Sequence, residues 1–223
     1  MNKKIAKIFQ AITYWPAFLT LKLLFRWKIE GQENLKGLED KSVIFASNHA
    51  SYLVDHPFCG YSLPRSSFYP HKFFPIHFLA YKEFFSIKNR YPFPLSILVT
   101  LYVKINNSIS ITPTNGDLET ALIEPIKELN KGAKLWTYPE GWVTRDGEIQ
   151  QGKRGTAYLH KKTGAVIIPV GLSGTFRFKF LDFLNRKKVK IKFGEPIYSL
   201  GDTSLEEGME IVMDKIKELV DPR

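Results

Sequence analysis

SVIFASNHASYLVD, residues 42–55, is the most informative stretch of this chain. It begins with an apolar run, which indicates a buried strand. His49 follows at the expected end of that strand, and the carboxylate Asp55 comes shortly after it. An imidazole titrates near neutrality, and a carboxylate bonded to its far nitrogen fixes the tautomer and stabilises the imidazolium. The pair is therefore a candidate general base.

A loop after a later apolar run is the second candidate site. Glu140 lies between a proline, which fixes φ, and Gly141, whose lack of a side chain lets a ligand approach the backbone. Three cations follow in the same loop: Arg145, Lys153 and Arg154. Arginine and helix amino ends both favour anions, and a helix is expected to begin just after these cations. The loop is therefore a candidate phosphate cradle, the alternative being an ordinary solvated surface loop.

Apolar runs alternate with amphipathic segments along the rest of the chain. We expect strands at residues 42–46, 76–80, 108–111, 134–138, 165–170 and 188–193, and helices at 91–103, 116–130, 156–162 and 205–220. With 223 residues, 44% of them hydrophobic, one domain is favoured over two. The predicted fold class is α/β, a single domain with a central, mostly parallel sheet flanked by helices. In such sheets, ligands bind at the carboxyl ends of the strands.

The amino terminus is basic and aromatic. Residues 1–29 contain six cations and no acid. Their longest uncharged run, residues 8–21, contains Pro16 and is shorter than the roughly 20 residues a spanning helix needs. We predict that residues 1–30 form an amphipathic, membrane-associated helical segment and that residues 31–223 form the main domain. The alternative is an ordinary amphipathic helix packed on the domain.

Charge and cysteine content narrow the class of partner. The formal net charge is +10, which suits nucleic acid, a membrane surface or a phosphorylated substrate. Nucleic acid is not predicted, because the aromatic residues lie in apolar runs rather than in a stacking motif. Cys59 is the single cysteine, so an intrachain disulfide is excluded and a reducing setting is expected. The histidines are scattered singly, so we predict no metal site.

Four ordered motifs resemble those of the glycerolipid acyltransferase family: NHAS at 48–51, YPEG at 138–141, GKRG at 152–155 and IPVGLSG at 168–174. The resemblance extends from about residue 31 to about residue 197. The best-known members of the family acylate glycerol-3-phosphate or lysophosphatidic acid from acyl-CoA or acyl carrier protein. Residues 31–223 would then be an acyltransferase domain, acting at the cytoplasmic face of a membrane as a peripheral or monotopic protein.

The resemblance also implies roles for the candidate residues. His49 would take the proton of the acceptor hydroxyl as that oxygen attacks the thioester carbonyl, and Asp55 would orient the imidazole. Glu140 and Gly141 would help to seat the acceptor, and the three loop cations would neutralise its phosphate. Neither a metal nor another cofactor would be needed, because the thioester is already activated. The expected partners are an acyl thioester, a lysophospholipid such as 1-acyl-glycerol-3-phosphate, and anionic membrane lipids.

Three departures from the family pattern concern the site. Five residues instead of four separate His49 from Asp55. Pro113 lies where the family has an arginine, and Trp142 and Val143 replace a Thr-Arg pair. We therefore expect either that other cations such as Arg145, Lys153 and Arg90 compensate or that the acceptor is a different lipid. A non-catalytic membrane-surface protein is the remaining alternative.

Overall fold

The elements follow the alternation that the sequence predicts. The computed structural model describes residues 3–52, 54–65, 73–89, 91–106, 108–112, 117–179 and 181–222. The strands are β1 (Arg26–Glu30), β2 (Val43–Ser47), β3 (Ile76–Tyr81), β4 (Ile109–Ile111), β5 (Lys134–Thr137), β6 (Val166–Ser173) and β7 (Lys188–Phe193). The α-helices are α1 (Lys3–Leu24), α2 (Asp55–Tyr61), α3 (Leu95–Ile105), α4 (Leu118–Ala121), α5 (Ile123–Leu129), α6 (Gly155–Thr163), α7 (Leu181–Leu184) and α8 (Leu205–Leu219). Two 3₁₀ helices span Gln32–Leu35 and Lys82–Phe85.

The strands form one seven-stranded sheet in the order β1-β7-β6-β2-β5-β3-β4. Every pair of neighbours is parallel except β6 and β7, which are antiparallel. The predicted fold class, a single α/β domain with a mostly parallel sheet, is confirmed. Because β2 and β5 are parallel neighbours, the loops that follow them emerge side by side at one edge of the sheet.

Both faces of the sheet are covered, which explains the continuous apolar run of β2. Phe45 packs with Phe58 of α2 and Tyr14 of α1 in the core on one face. Ile44 packs with Leu159 of α6 and with residues of α8 in the core on the other face. Neighbouring residues of a strand point to opposite faces, so a strand buried on both sides needs apolar residues at each position.

The last five residues of the predicted amino-terminal segment belong to the sheet. Residues 26–30, which we expected within a helical membrane segment, form strand β1 and pair with β7 from Arg26↔Lys188 to Glu30↔Lys192. Trp27 is buried in the core, while its neighbours Arg26 and Lys28 are exposed. The boundary at residue 30 therefore does not separate a helical segment from the domain.

Helix α1 packs on the domain along one face and exposes apolar residues along the other. The Gln10 side-chain amide donates to the carbonyl oxygens of Ile76 (2.9 Å) and Asn106 (3.2 Å), and its oxygen accepts from Ile76 N–H (3.0 Å). The Tyr14 hydroxyl donates to the Leu63 carbonyl oxygen (2.7 Å). Within the described ranges, no helix is long and apolar enough to cross a membrane.

The exposed face of α1 is an apolar stripe, which we call the α1 stripe: Ile5, Ile8, Ile12, Leu19 and Leu23. These residues are spaced three, four or seven apart and so lie on one side of the helix. Helix α1 is therefore packed on the domain, as the alternative expected, and apolar toward solvent, while its association with a membrane stays a prediction.

Candidate active site

Strands β2 and β5 bring the two predicted sites together. His49 follows the end of β2, and the motif Tyr138 to Gly141 follows the end of β5 directly. The backbone N–H of His49 donates to Glu140 Oε1 (2.8 Å), and the Thr144 N–H donates to the His49 carbonyl oxygen (2.9 Å). These bonds join the loops on both sides of His49 and make them one site.

His49 and Asp55 form a buried pair despite the extra residue between them. His49 Nδ1 lies 2.8 Å from Asp55 Oδ2, which also accepts from the N–H groups of Ala50 (2.7 Å) and Ser51 (2.8 Å). Asp55 is fully buried at the start of α2, and His49 is 6% exposed. A loop closed on the carboxylate accommodates the inserted residue. The contact at Nδ1 leaves Nε2 as the nitrogen available to a substrate.

Aromatic stacking and a buried amide hold the imidazole in place. The Tyr138 ring stacks on His49, with ring centroids 4.0 Å apart and planes at 16°. The Asn48 side chain accepts from Leu172 N–H (2.8 Å) and donates to the Leu172 carbonyl oxygen (2.9 Å), which ties the loop to β6. Both residues lie in the sequence motifs at 48–51 and 138–141, but their contacts could not be predicted from sequence, because the stack and the amide pair depend on the tertiary fold.

Glu140 links the two loops rather than facing the cavity beside His49. Its Oε1 accepts from the His49 N–H, and its Oε2 accepts from the Gln150 N–H at 2.8 Å. Burial raises the pKa of the carboxyl, while the two N–H donors act in the opposite direction. Both oxygens thus hold backbone N–H groups of the two loops, while the predicted role of Glu140 in seating the acceptor stays a prediction.

The three predicted phosphate cations do not converge. Lys153 lies at the cavity wall, with its side chain so close to Gly141 that a Cβ at residue 141 would lie 2.7 Å from Nζ; this contact and the φ of +78° both favour glycine there. Arg154 instead contacts Glu206 of α8, with Nη1 and Oε1 3.2 Å apart. Arg145 is exposed and is not among the described residues that line the cavity. Only Lys153 of the three therefore reaches the site.

Two other residues that bear on the phosphate site lie outside the described ranges. Pro113, which stands at an expected arginine position, and Arg90, a candidate compensating cation, are both among these residues.

A cavity of about 600 Å³ opens beside His49. Its wall is mostly apolar and comes from α2, β3, α3, α4 and α6, with Leu79, Leu98, Val103, Leu122 and Leu159 among the contributors. The volume lies within the range of small-molecule and lipid sites, and an apolar wall suits a hydrocarbon chain. Among the described residues, no group of three or more His, Cys, Asp or Glu side chains could hold a metal ion.

Comparison with known proteins identifies the family. A family model described as Acyltransferase matches residues 26–173, which is most of the described domain. The chain belongs to the acyltransferase family. The match includes strand β1, which agrees with the place of residues 26–30 in the sheet. The resemblance found in the four sequence motifs is thereby confirmed.

Similar acyltransferases occur in plants and bacteria. The chain is 24% identical over 198 residues to a chloroplastic 1-acyl-sn-glycerol-3-phosphate acyltransferase of Arabidopsis thaliana, a match covering 87% of this chain and 48% of the relative. A 1-acyl-sn-glycerol-3-phosphate acyltransferase of Borreliella burgdorferi is 32% identical over 89 residues, covering 40% of this chain and 34% of the relative. The chain spans about half the length of the plant relatives that it matches.

A solved structure shares the fold of this acyltransferase. The crystal structure of the 1-acyl-sn-glycerophosphate (LPA) acyltransferase PlsC from Thermotoga maritima aligns with a TM-score of 0.65 at 22% sequence identity. The alignment covers 94% of this chain and 79% of that chain, so the likeness extends over nearly the whole α/β domain.

Trp142 gives the mouth of the acyltransferase cavity an aromatic wall. It is 47% exposed, and its ring centroid lies 5.3 Å from that of Tyr81, whose hydroxyl donates to the Gly141 carbonyl oxygen (3.1 Å). Lys153 Nζ lies 5.9 Å from the Trp142 ring centroid, within cation–π range. The sequence marked Trp142 only as a departure from the family pattern, whereas the structure places it at the site beside Lys153.

Proposed function

We propose that this protein transfers a fatty acyl group from an acyl thioester, either acyl-CoA or acyl carrier protein, to the hydroxyl of a lysophospholipid. The acceptor we propose is 1-acyl-glycerol-3-phosphate, in phospholipid biosynthesis. The observation that carries the proposal is the buried His49–Asp55 pair at the wall of a large apolar cavity. The names of the plant and bacterial relatives support the acceptor.

The pair can perform the transfer without a covalent intermediate. His49 Nε2 would accept the hydroxyl proton as the acceptor oxygen attacks the thioester carbonyl carbon. A carbon–oxygen bond forms, the carbon–sulfur bond breaks, and the proton passes from the imidazolium to the departing thiolate. Asp55 stabilises the imidazolium between these steps. The cavity would hold the hydrocarbon chain next to His49.

Lys153 is the cation best placed for the acceptor phosphate. It lies at the cavity wall beside Gly155 and Thr156, the first residues of α6, whose amino end favours an anion. A phosphate held by one lysine is bound less strictly than one clamped by two arginines, because arginine makes paired contacts to phosphate. We therefore propose that lysophosphatidic acid is accepted, with weak discrimination against uncharged or zwitterionic lysolipids.

The surface around α1 supports attachment to a bilayer. The α1 stripe faces solvent next to the exposed cations Lys4 and Lys7. Helix α3, which contacts α1, exposes Leu98 and Leu101, and Leu98 also lines the cavity. We propose that this surface lies in the headgroup region of an anionic membrane, as a peripheral or monotopic attachment. The free thiol of Cys59 suits the cytoplasmic face.

An acceptor panel tests the proposed reaction. Purified protein would be supplied with acyl-CoA or acyl carrier protein thioester, and with lysophosphatidic acid, monoacylglycerol or lysophosphatidylcholine at matched micelle concentration. We expect transfer to lysophosphatidic acid and measurable transfer to the other two acceptors. No transfer to any acceptor from either donor, with vesicle binding retained, would favour the non-catalytic membrane-surface protein. Strict dependence on the phosphate monoester would contradict the relaxed acceptor site.

A further inference from the structure

His56 is a second imidazole at the cavity, one residue after Asp55. Its ring centroid lies 4.7 Å from that of Phe78, 5.2 Å from that of Tyr138 and 5.8 Å from that of His49. Rings of β3 and of the loops after β2 and β5 therefore surround it beside the proposed general base.

The His56 nitrogens have no hydrogen-bond partner among the described residues. By contrast, two hydroxyls of the same cavity wall already donate to carbonyl oxygens: Tyr81 to Gly141 (3.1 Å) and Thr137 to Phe45 (3.3 Å). The His56 side chain is only partly buried, and it lines the cavity. An imidazole that lines an apolar cavity without a protein partner has its N–H group available to a ligand.

His56 is neutral at physiological pH. Burial, and secondarily the proximity of His49, lower the pKa of its imidazole to about 3. A neutral imidazole carries one N–H donor and one acceptor nitrogen. It can therefore donate a hydrogen bond without placing a positive charge next to the imidazolium that forms on His49.

We propose that His56 donates a hydrogen bond to the carbonyl oxygen of the acyl thioester and stabilises the oxyanion formed when the acceptor attacks. The inference rests on the proposed acyl transfer. In the tetrahedral intermediate, one oxygen comes from the acceptor hydroxyl, whose proton moves to His49, and the other carries the negative charge. Rings with centroids 5.8 Å apart leave room for these two oxygens, each about 2.8 Å from its imidazole nitrogen. His56 would thus be a catalytic residue distinct from the His49–Asp55 pair.

Paired substitutions test the donor role. His56→Phe keeps a ring and removes both nitrogens, and it should lower kcat on the order of 10²- to 10³-fold with little change in the thioester KM. His56→Gln restores an N–H donor, so its kcat should be at least about tenfold higher than that of His56→Phe. His160→Gln, at a histidine of α6 whose Nδ1 lies 2.7 Å from the Ala165 carbonyl oxygen, serves as a matched buried control and should retain turnover.

Two kinetic outcomes would overturn the inference. One is wild-type kcat in His56→Phe. The other is an equal loss of kcat in His56→Phe and His56→Gln at unchanged melting temperatures. The N–H donor of glutamine should have recovered part of that loss if His56 acts as a donor.

A binding measurement separates this inference from the proposed function. The probe is a ketone analogue of the acyl thioester, in which a methylene replaces the sulfur, added to protein with ¹⁵N-labelled histidine. We expect the His56 ring nitrogen resonances to shift on binding, even in a preparation that shows no acyl transfer. Absence of transfer together with this shift would contradict only the proposed reaction. Analogue binding that leaves the His56 resonances unmoved, or no binding, would overturn the donor role.

Discussion

The exposed apolar area of the α1 stripe predicts how strongly the protein binds a bilayer. Ile12 is 70% exposed and Leu23 is 71% exposed on that face of the helix. Complete burial of an Ile or Leu side chain contributes about 1.5–3 kcal/mol, so embedding the exposed part of each contributes about 1–2 kcal/mol. The double variant Ile12→Gln/Leu23→Gln should therefore lose about 2–4 kcal/mol of membrane binding, which is roughly 30- to 700-fold in the vesicle partition coefficient.

Co-sedimentation with anionic vesicles at fixed salt measures this change. The matched control is Ile123→Gln/Ile211→Gln, which alters exposed residues of α5 and α8, helices associated with the core on the opposite face of the sheet. The control should bind vesicles like the wild type. Undiminished binding of the α1 variant would refute the reasoning. Deletion of α1 is a poorer test, because it also removes the buried contacts of Gln10.

Three further predictions concern the site. Asp55→Asn should lower kcat on the order of 10²- to 10⁴-fold in a thiol-release assay, because a neutral amide stabilises the His49 imidazolium poorly; near-normal turnover would contradict this. Lys153→Met should raise the acceptor KM far more than the thioester KM. The control Arg154→Met, which removes a cation paired with Glu206, should change neither KM. Equal effects of the two variants on the acceptor KM would place the phosphate elsewhere. Because burial lowers the pKa of His56 to about 3 from 6.5, the unfolded chain takes up a proton between these values while the folded protein does not. Acidification from pH 7 to pH 5 should therefore remove about 2 kcal/mol of stability through this residue, and urea unfolding of His56→Phe should lack that part of the decline; identical declines would refute the assignment.

Elements with strong local signals were predictable from the sequence. Strand β7 occupies the predicted residues 188–193, and α8 ends one residue before its predicted end. Helix α8 begins with a capping box between Ser204 and Glu207, a signal contained in four residues of sequence. Helix α3 begins after Pro94, later than expected, because proline interrupts the start of that uncharged run.

Features that depend on distant contacts could not be predicted in the same way. Strand β1 buries only Trp27 fully, and its partner β7 lies near the other end of the chain, so the local sequence carries little sign of a strand. The loop cations could be recognised by type, whereas the turn of Arg154 toward Glu206 depends on the packing of α8. Likewise, no local pattern distinguishes an imidazole enclosed beside His49, such as His56, from one on the surface.

Turnover of His49→Ala is the most direct test of the acyl-transfer mechanism. The variant keeps both backbone hydrogen bonds at residue 49, to Glu140 and from Thr144, so the two loops should stay joined. We predict that kcat for acyl transfer to lysophosphatidic acid falls on the order of 10²- to 10⁴-fold, while the melting temperature and vesicle binding stay close to those of the wild type. Near-wild-type turnover in a folded, vesicle-bound His49→Ala protein would contradict the account.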